Sequence, residues 1–355
     1  MDLFVHEARL AGQPIGPIAV VKTTADVERS GRIPAIRRAE GFPVHIRGYR
    51  EGVLVDERIT VRSVDLAYDV GVDWPKVVDL FATEVEIAVS NVGDRGYEIS
   101  SQDRVFDVTA GRVPASFPAK LLVLLMARHE AGGRPLLFLP AELVAANGHV
   151  LSRIITELAG QWNTTEAFRD WLVSSVVFAD CLVDRIVSAA IDPVGAVAEP
   201  YALWAIRRGN FEPPLTHRAV VITDDLEPFE RLKLHILNLG HTLLAEEWIR
   251  SGSKSTETVS RMLSDTTTSE RLADIYACEV VPGFGVHGMA EVAARYVETT
   301  LDRLRNPFLE HRIADIANNH TAKVGRRIGA FVDWVHATDP QMRLPRLIAV
   351  ASAYT

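Results

Sequence analysis

The hydrophobic periodicity of this 355-residue chain changes once, near residue 195, and that change narrows the architectures open to it more than any other feature. Before it, short β-branched runs alternate with helical patterns. The runs are Pro17–Thr23 (PIAVVKT), segments between His45 and Val70 parted by Gly48 and Gly52, then Val85–Ser90 and Pro135–Pro140; Pro118–Ala131 has helical spacing. Strand, helix and strand in succession predict a parallel sheet with crossover helices. After Pro200, the segments Pro228–Arg250, Glu257–Ser264, Ser269–Ala277, Met289–Arg305 and His311–Ala337 carry apolar residues three and four apart, the mark of helices. The expectation is an α/β domain over residues 1–195 followed by an all-helical domain over 196–355.

Composition removes other classes. With 48% hydrophobic and 24% charged residues, the chain has the make-up of an ordinary packed protein. Lys and Arg number 38 against 46 Asp and Glu, a net charge of −8, so there is no basic footprint for a nucleic-acid backbone or an anionic membrane. Cys181 and Cys278 are the only cysteines, too few for a disulfide framework or a multi-thiolate metal site, which fits a reducing cytoplasm. The most apolar run, Leu121–Met126, falls far short of the ~18 residues of a membrane span, and the first residues lack the pattern of an export signal. The expected localisation is cytoplasmic and the expected partner a small molecule.

Chemistry concentrates in Asp224–Arg250, DDLEPFERLKLHILNLGHTLLAEEWIR. Asp224 or Asp225 can cap a helix whose first turn holds Pro228 and Glu230. At about 100° per residue from Lys233, Glu230 falls at about 60°, His241 at about 80° and Asn238 at about 140°. These polar groups share their sector with Leu234 and Leu237. A solvated amphipathic helix with a surface Lys–Glu pair has the same spacing. In an apolar setting, however, the ammonium form of Lys233 is disfavoured, and the amine can exchange protons nearer neutral pH. Gly240 adds a hint, because an interior helical glycine often marks a close approach. No histidine pair has metal-ligand spacing: His235 and His241 are six apart, on different faces, so no metal is expected.

Lys233, Asn238 and His241, as K-x4-N-x2-H, resemble the signature helix of the polyol-specific long-chain dehydrogenases, the mannitol dehydrogenase family. Four more segments agree in order: Ser90–Tyr97 (SNVGDRGY), Leu139–Gly148 (LPAELVAANG), Leu182–Val187 (LVDRIV) and Asn306–Lys323 (NPFLEHRIADIANNHTAK). The variants SNVGD, CLVDRIV and EPYALWAI are more similar to the family's hexuronate reductases than to its mannitol enzymes.

The resemblance implies a Rossmann-like domain before the helical one, and an NAD-dependent oxidoreductase with NADP left open. The substrate pair implied is a keto-sugar acid and its alcohol, of tagaturonate/altronate or fructuronate/mannonate type, or a ketose and its polyol. It assigns the acid/base to Lys233, oxyanion contacts to Asn147 and Asn238, substrate orientation to His241 and proton gating to Glu230. Asp184 and Arg185 fall near the substrate. Asn91 and Gly93 match the turn that approaches the dinucleotide, and Lys22 and Thr23 end the second strand, where the ribose binds. Each has a plain alternative: Asn147-Gly148 as a turn, Asp184-Arg185 as a structural ion pair, Asn91 to Gly93 as an ordinary β–α turn. Lys323 and Arg312 are candidate cations for a substrate carboxylate, with helix surface the plainer reading, and His320 reads as helix surface rather than as a ligand.

The family begins with a strand and a glycine-rich turn of the G-x-G-x-F-x-R type, whereas this chain begins MDLFVHEARLAG, which resembles the helix that follows that turn. The expectation is a chain short at its N-terminus by roughly 20–40 residues, its doubly wound sheet lacking a central strand and so carrying two unpaired edges. A sugar-binding protein without catalysis, having lost its cofactor loop, is the alternative from another functional class.

Overall fold

A computed structural model of the chain describes residues 1–24, 31–38, 40–93, 96–104, 112–252 and 256–354. The first helix, α1 (Asp2–Leu10), is the expected one, with Leu3, Phe4, Val5 and Ala8 buried. It is followed by β1 (Ile18–Lys22), α2 (Arg32–Arg38), an antiparallel hairpin of β2 (Phe42–Arg50) and β3 (Val53–Val61), β4 (Val64–Asp69) and α3 (Val70–Thr83). Then come β5 (Ile87–Ser90), α4 (Phe117–Glu130), β6 (Leu136–Pro140), α5 (Asn147–Gln161), α6 (Glu166–Ser175) and β7 (Val176–Phe178).

Two sheets are wholly parallel, β1–β4 and β5–β6–β7. Among the described residues β1 pairs with β4 alone, and β6 lies between β5 and β7. Every residue of β6 is buried, as befits a strand covered on both faces, and this is why it reads as one apolar run. Helix α4 packs Leu121, Leu122 and Leu125 into the same core. Its Arg128, fully buried, donates to the carbonyls of Phe81 in the last turn of α3 and of Arg134 and Pro135 just before β6.

The remaining strands are β8 (Cys181–Asp184), β9 (Val187–Ala190), β10 (Ala196–Ala198), β11 (Leu203–Arg207) and β12 (Val220–Thr223). Three of these lie beyond residue 195, so strands continue into the segment expected to be all helical, which becomes helical only at Glu227. The runs LWAIR and VVIT are short, and β11 is held by distant β8 as well as by β12. Local periodicity does not report such pairing. Strand β10 joins β2, building a β3–β2–β10–β9 sheet.

The helical part comprises α7 (Glu227–Leu232), α8 (Asn238–Ser251), α9 (Val259–Met262), α10 (Thr266–Ile275), α11 (Val281–Gly285) and α12 (Ala290–Leu304), then α13 (Ile313–Ile316), α14 (His320–Val324), α15 (Ala330–Thr338) and α16 (Pro345–Ser352). Ile236, Tyr276, Phe284, Ile328 and Phe331 are among its fully buried core residues. Among the described residues no helix is long and apolar enough to cross a membrane. The hairpin braces the two parts: Asn306 Nδ2 donates to the Arg47 carbonyl at 3.0 Å, and Asp302 accepts from Gly52 N at 2.8 Å. Gly48 has φ +141°, and a Cβ there would lie 2.6 Å from Asn306 Nδ2, so this docking requires glycine.

Candidate active site

Lys233 opens a π turn, Lys233–Leu237, inserted between α7 and α8. Asp225 receives the chain into α7, its Oδ1 accepting from Glu227 N at 2.9 Å. A π turn closes by an i to i+5 hydrogen bond, here from Asn238 N to the Lys233 carbonyl. The extra residue brings Asn238 back over Lys233, whereas a continuous α-helix would part them. Tertiary contacts fill the altered bonding. The Tyr276 hydroxyl donates to the Ile236 carbonyl at 2.9 Å, His235 Nδ1 meets the Arg327 carbonyl at 3.0 Å, and Arg327 Nη1 reaches the Asn238 carbonyl at 3.3 Å. Tyr276 and Arg327 themselves lie in π turns, Tyr276–Val280 and Gly325–Gly329. The close approach hinted at by Gly240 is that of Tyr276, whose hydroxyl lies 1.9 Å from where a Cβ would stand.

Lys233 is sheltered, its side chain 19% exposed, with Nζ donating to the Val183 carbonyl at 3.1 Å and lying 3.9 Å from Asp184 Oδ1. Burial pushes its pKa below the ordinary lysine value, Asp184 pulls it up and Arg303 pushes it down again, leaving it lowered. Asp184 is buried, and burial opposes its charge; the hydrogen bonds and charge of Arg303, together with Lys233 and Tyr296, outweigh this and hold the carboxyl below the usual range. Arg303 also grips Glu199, at 3.0 and 2.9 Å. Sequence reasoning missed Arg303, Glu199 and Tyr296. A signal was present, since Tyr296 and Arg303 stand seven apart on α12, two turns along the face that also carries Ala293, Val297 and Leu304.

Asn238 is half-buried, and its side-chain amide bonds to no described residue, leaving its donors available. His241 is buried, with Nε2 unpartnered and the ring edge-on to His311 at 5.0 Å. Burial, with His311 and nearby arginines, lowers its pKa to about 3, so it is a neutral imidazole. Glu230, one turn before Lys233, is half-buried; burial and then Asp180, Glu227 and Asp225 raise its pKa. A raised carboxyl pKa suits a group that passes protons to water.

Asn147 is placed differently from its expected role. Its Nδ2 lies 3.1, 3.0 and 2.9 Å from the carbonyls of Pro140, Glu142 and Cys181, while Oδ1 accepts from Gly148 N and Cys181 N. Both donors therefore serve the backbone, locking the β6–α5 loop to β8. Gly148 is required by contact, since a Cβ would fall 2.6 Å from the Ala179 backbone. Asp184 and Arg185 form no ion pair with each other: Asp184 faces Lys233 and Arg303, and Arg185 donates to the Glu199 carbonyl. His320, read as surface, is buried and bonded to Glu246 at 2.9 Å, because α14 packs on α8. Arg312 is exposed as expected, and Lys323 donates to the Ile316 carbonyl at 2.7 Å.

At the carboxyl ends of the parallel strands, Lys22 closes β1 and pairs with Asp69 of β4 at 3.1 Å, also donating to the Thr24 carbonyl; Thr23 stands between. Ser90 ends β5 with its hydroxyl buried and, among the described residues, unpartnered, directly before Asn91 and Gly93. Among the described residues, nothing lies within 4 Å of where a Cβ on Gly93 would stand. The turn is pinned from below by Glu142, which accepts from Val92 N at 3.0 Å and from the Tyr97 hydroxyl at 3.0 Å.

A family model described as the mannitol dehydrogenase Rossmann domain matches residues 26–216, and one described as the mannitol dehydrogenase C-terminal domain matches residues 225–355. The chain belongs to the mannitol dehydrogenase family. The two matches meet around β12, where strands give way to helices. The chain is 26% identical over 337 residues to an altronate oxidoreductase of Bacillus subtilis (strain 168), covering 88% of this chain and 67% of that protein. It is 28% identical over 349 residues to an altronate oxidoreductase of Halalkalibacterium halodurans, covering 91% and 66%. It thus spans about two thirds of the length of the curated relatives it matches. Its fold is similar to that of a substrate-free D-sorbitol dehydrogenase, with TM-score 0.81 at 18% identity over 99% of this chain and 76% of that one. It is also similar to that of a Pseudomonas fluorescens mannitol 2-dehydrogenase solved with NAD and D-mannitol, with TM-score 0.74 at 17% identity over 99% and 75%.

Proposed function

We propose that this chain interconverts a keto-sugar acid and its secondary alcohol in an NAD-dependent reaction, with Lys233 carrying the proton. The observation that bears most of the weight is the π turn, which sets an unpartnered amide, Asn238, on the same face as a sheltered lysine. Similarity to altronate oxidoreductases supports a pair of the tagaturonate/altronate or fructuronate/mannonate type, with a ketose and its polyol next.

In reduction, the Lys233 ammonium donates a hydrogen bond to the substrate carbonyl and then its proton to the nascent alkoxide. Asn238 donates to the same oxygen without a competing acidic proton. Asn147 holds the β6–α5 loop against β8, on which Asp184 stands, so the oxyanion contact falls to Asn238. The neutral His241 offers Nε2 to a substrate hydroxyl. Glu230 returns a proton from water to Lys233. Alcohol oxidation reverses these steps from the free amine.

Ser90, Asn91 and Gly93 would hold the dinucleotide on the nicotinamide side and Lys22 and Thr23 on the ribose side, the unpartnered Ser90 hydroxyl being the atom that fits such a ligand. When bound, the nicotinamide supplies or takes the hydride. Because Lys22 is already neutralised by Asp69, the ribose end favours NAD over its 2′-phosphorylated form.

The test is a screen of hexuronates and polyols against NADH and NADPH absorbance, with Lys233→Ala alongside. The expected result is NADH oxidation with tagaturonate or fructuronate, absent in the variant. Sugar binding without nicotinamide binding would instead support a non-catalytic sugar-binding protein, and full turnover by Lys233→Ala would remove the lysine from the mechanism.

A further inference from the structure

Behind Lys233 lies a row of buried charges, Glu199, Arg303 and Asp184, whose side chains are 2, 2 and 5% exposed. The Arg303 fork binds both oxygens of Asp184, at 2.8 and 2.9 Å, and both oxygens of Glu199, at 3.0 and 2.9 Å. The Tyr296 hydroxyl adds a bond to Asp184 at 3.1 Å, and the Tyr201 ring stacks on the guanidinium at 4.2 Å. Asp184 thus reaches Lys233 already bonded on both oxygens. The ammonium stands 3.9 Å from it, beyond hydrogen-bond distance, and donates to the neutral Val183 carbonyl instead. Among the described residues, Asp184 of β8 and Arg303 of α12 are the charged groups that shift Lys233, and Glu230 stands one turn before it on α7.

We propose that Arg303 is a positioning residue for Lys233: by holding Asp184 and neutralising Glu199, it prevents the lysine from becoming one half of a fixed buried ion pair and leaves its amine free to exchange protons with substrate. The inference rests on the reading of Lys233 as the proton carrier. Without Arg303, two buried carboxylates would stand behind one lysine, and Asp184 would have oxygens free to bind it. The ammonium would then be stabilised and the free amine scarce. Lysine at position 303 would keep the charge while losing the two-armed fork.

The experiment is the pH dependence of Lys233 acetylation by acetic anhydride on the full chain, read by peptide mass spectrometry, which requires neither substrate nor cofactor. Arg303→Met is expected to raise the midpoint by about one pH unit or more, about tenfold less free amine at a given pH. Arg303→Lys, which keeps the charge without the fork, should fall between the parent protein and Arg303→Met. Arg303→Met/Glu199→Gln, which removes one charge of each sign, should fall between the parent and the single variant, and Asp184→Asn should lie below the parent. An unmoved or lowered midpoint in Arg303→Met overturns the proposal, as does a double variant identical to the single one. If Arg303→Met does not fold, the double variant must titrate above the parent with Arg303→Lys beside it; equal midpoints for all three overturn the proposal. The pH profile of alcohol oxidation should move in step with the labelling. A labelling shift without any effect of Lys233→Ala on turnover would break the reading of Lys233, whereas loss of turnover in Lys233→Ala without a labelling shift would break only the role of Arg303.

Discussion

Lys233 illustrates what a single side chain owes to its surroundings. On an exposed helix it would remain an ammonium to about pH 10.4; sheltered here, its pKa is lowered. Oxidation needs the free amine, so its kcat/KM should rise with pH to a midpoint below the ordinary lysine value, while reduction, which needs the ammonium, should decline through the same midpoint. A pH series in both directions checks this, and a rise centred above about pH 10.4 in oxidation would contradict it. Lys233→Ala should lower kcat by about 10²–10⁴ with thermal stability kept. Asn238→Ala should lower kcat by about 10²–10³ with a smaller change in KM, as expected of a contact made to the developing alkoxide. Equal effects of Asn238→Ala on an alcohol inhibitor's Kd and on kcat would point to plain substrate binding instead.

At the scale of elements, the π turn decides the site. The residue types at 233, 238 and 241 stand plainly in the sequence, but the angle between them does not, because α-helical periodicity fails where the chain takes one extra residue. The cause is remote in sequence: Tyr276 reaches the Ile236 carbonyl, and Gly240 leaves room for it. Gly240→Ala should destabilise the fold by about 1–3 kcal/mol through overpacking. Gly240→Ala/Tyr276→Phe should cost less than the sum of the two single variants, since the clash is with the hydroxyl. Urea unfolding of the four proteins measures this, and strict additivity would show that the two residues do not meet. The same logic explains the strands after residue 195. Strand β11 is a five-residue run stabilised by β8 and β12, so its neighbours, not its own pattern, make it a strand.

For the whole molecule, buried ionisable groups set the pH range of stability. His235 and His241 are held neutral, burial lowering their pKa values to about 4 and about 3. Once unfolded, each imidazole takes up a proton near pH 6.5, so the unfolded chain binds more protons between that value and the folded ones. Stability is therefore intact above about pH 6.5 and falls as pH drops through the window, by up to about 1.4 kcal/mol per pH unit for each imidazole. Urea midpoints from pH 7.5 to 4.5 should show this slope, shallower in His235→Gln; a flat series would mean that neither histidine is held neutral. The buried charge row joins the two parts of the chain, since Asp184 and Glu199 belong to the strand region and Arg303 to α12. Arg303→Met should consequently cost about 3–5 kcal/mol, the penalty for leaving buried carboxylates unpaired.

The sequence by itself determined the strand-like runs that became β1, β5 and β6, the helix α4 between the last two, most of the helices from Pro228 onward, and the residue types that make the candidate site, because periodicity and motif spacing are local properties. Only the tertiary structure decided that the helix bearing Lys233 contains a π turn, that Asn147 serves the backbone, and that Asp184 answers to Arg303 rather than to Arg185. Each of these depends on a partner dozens of residues away, and hydrogen bonding and burial are satisfied by whatever the fold brings near, regardless of distance along the chain.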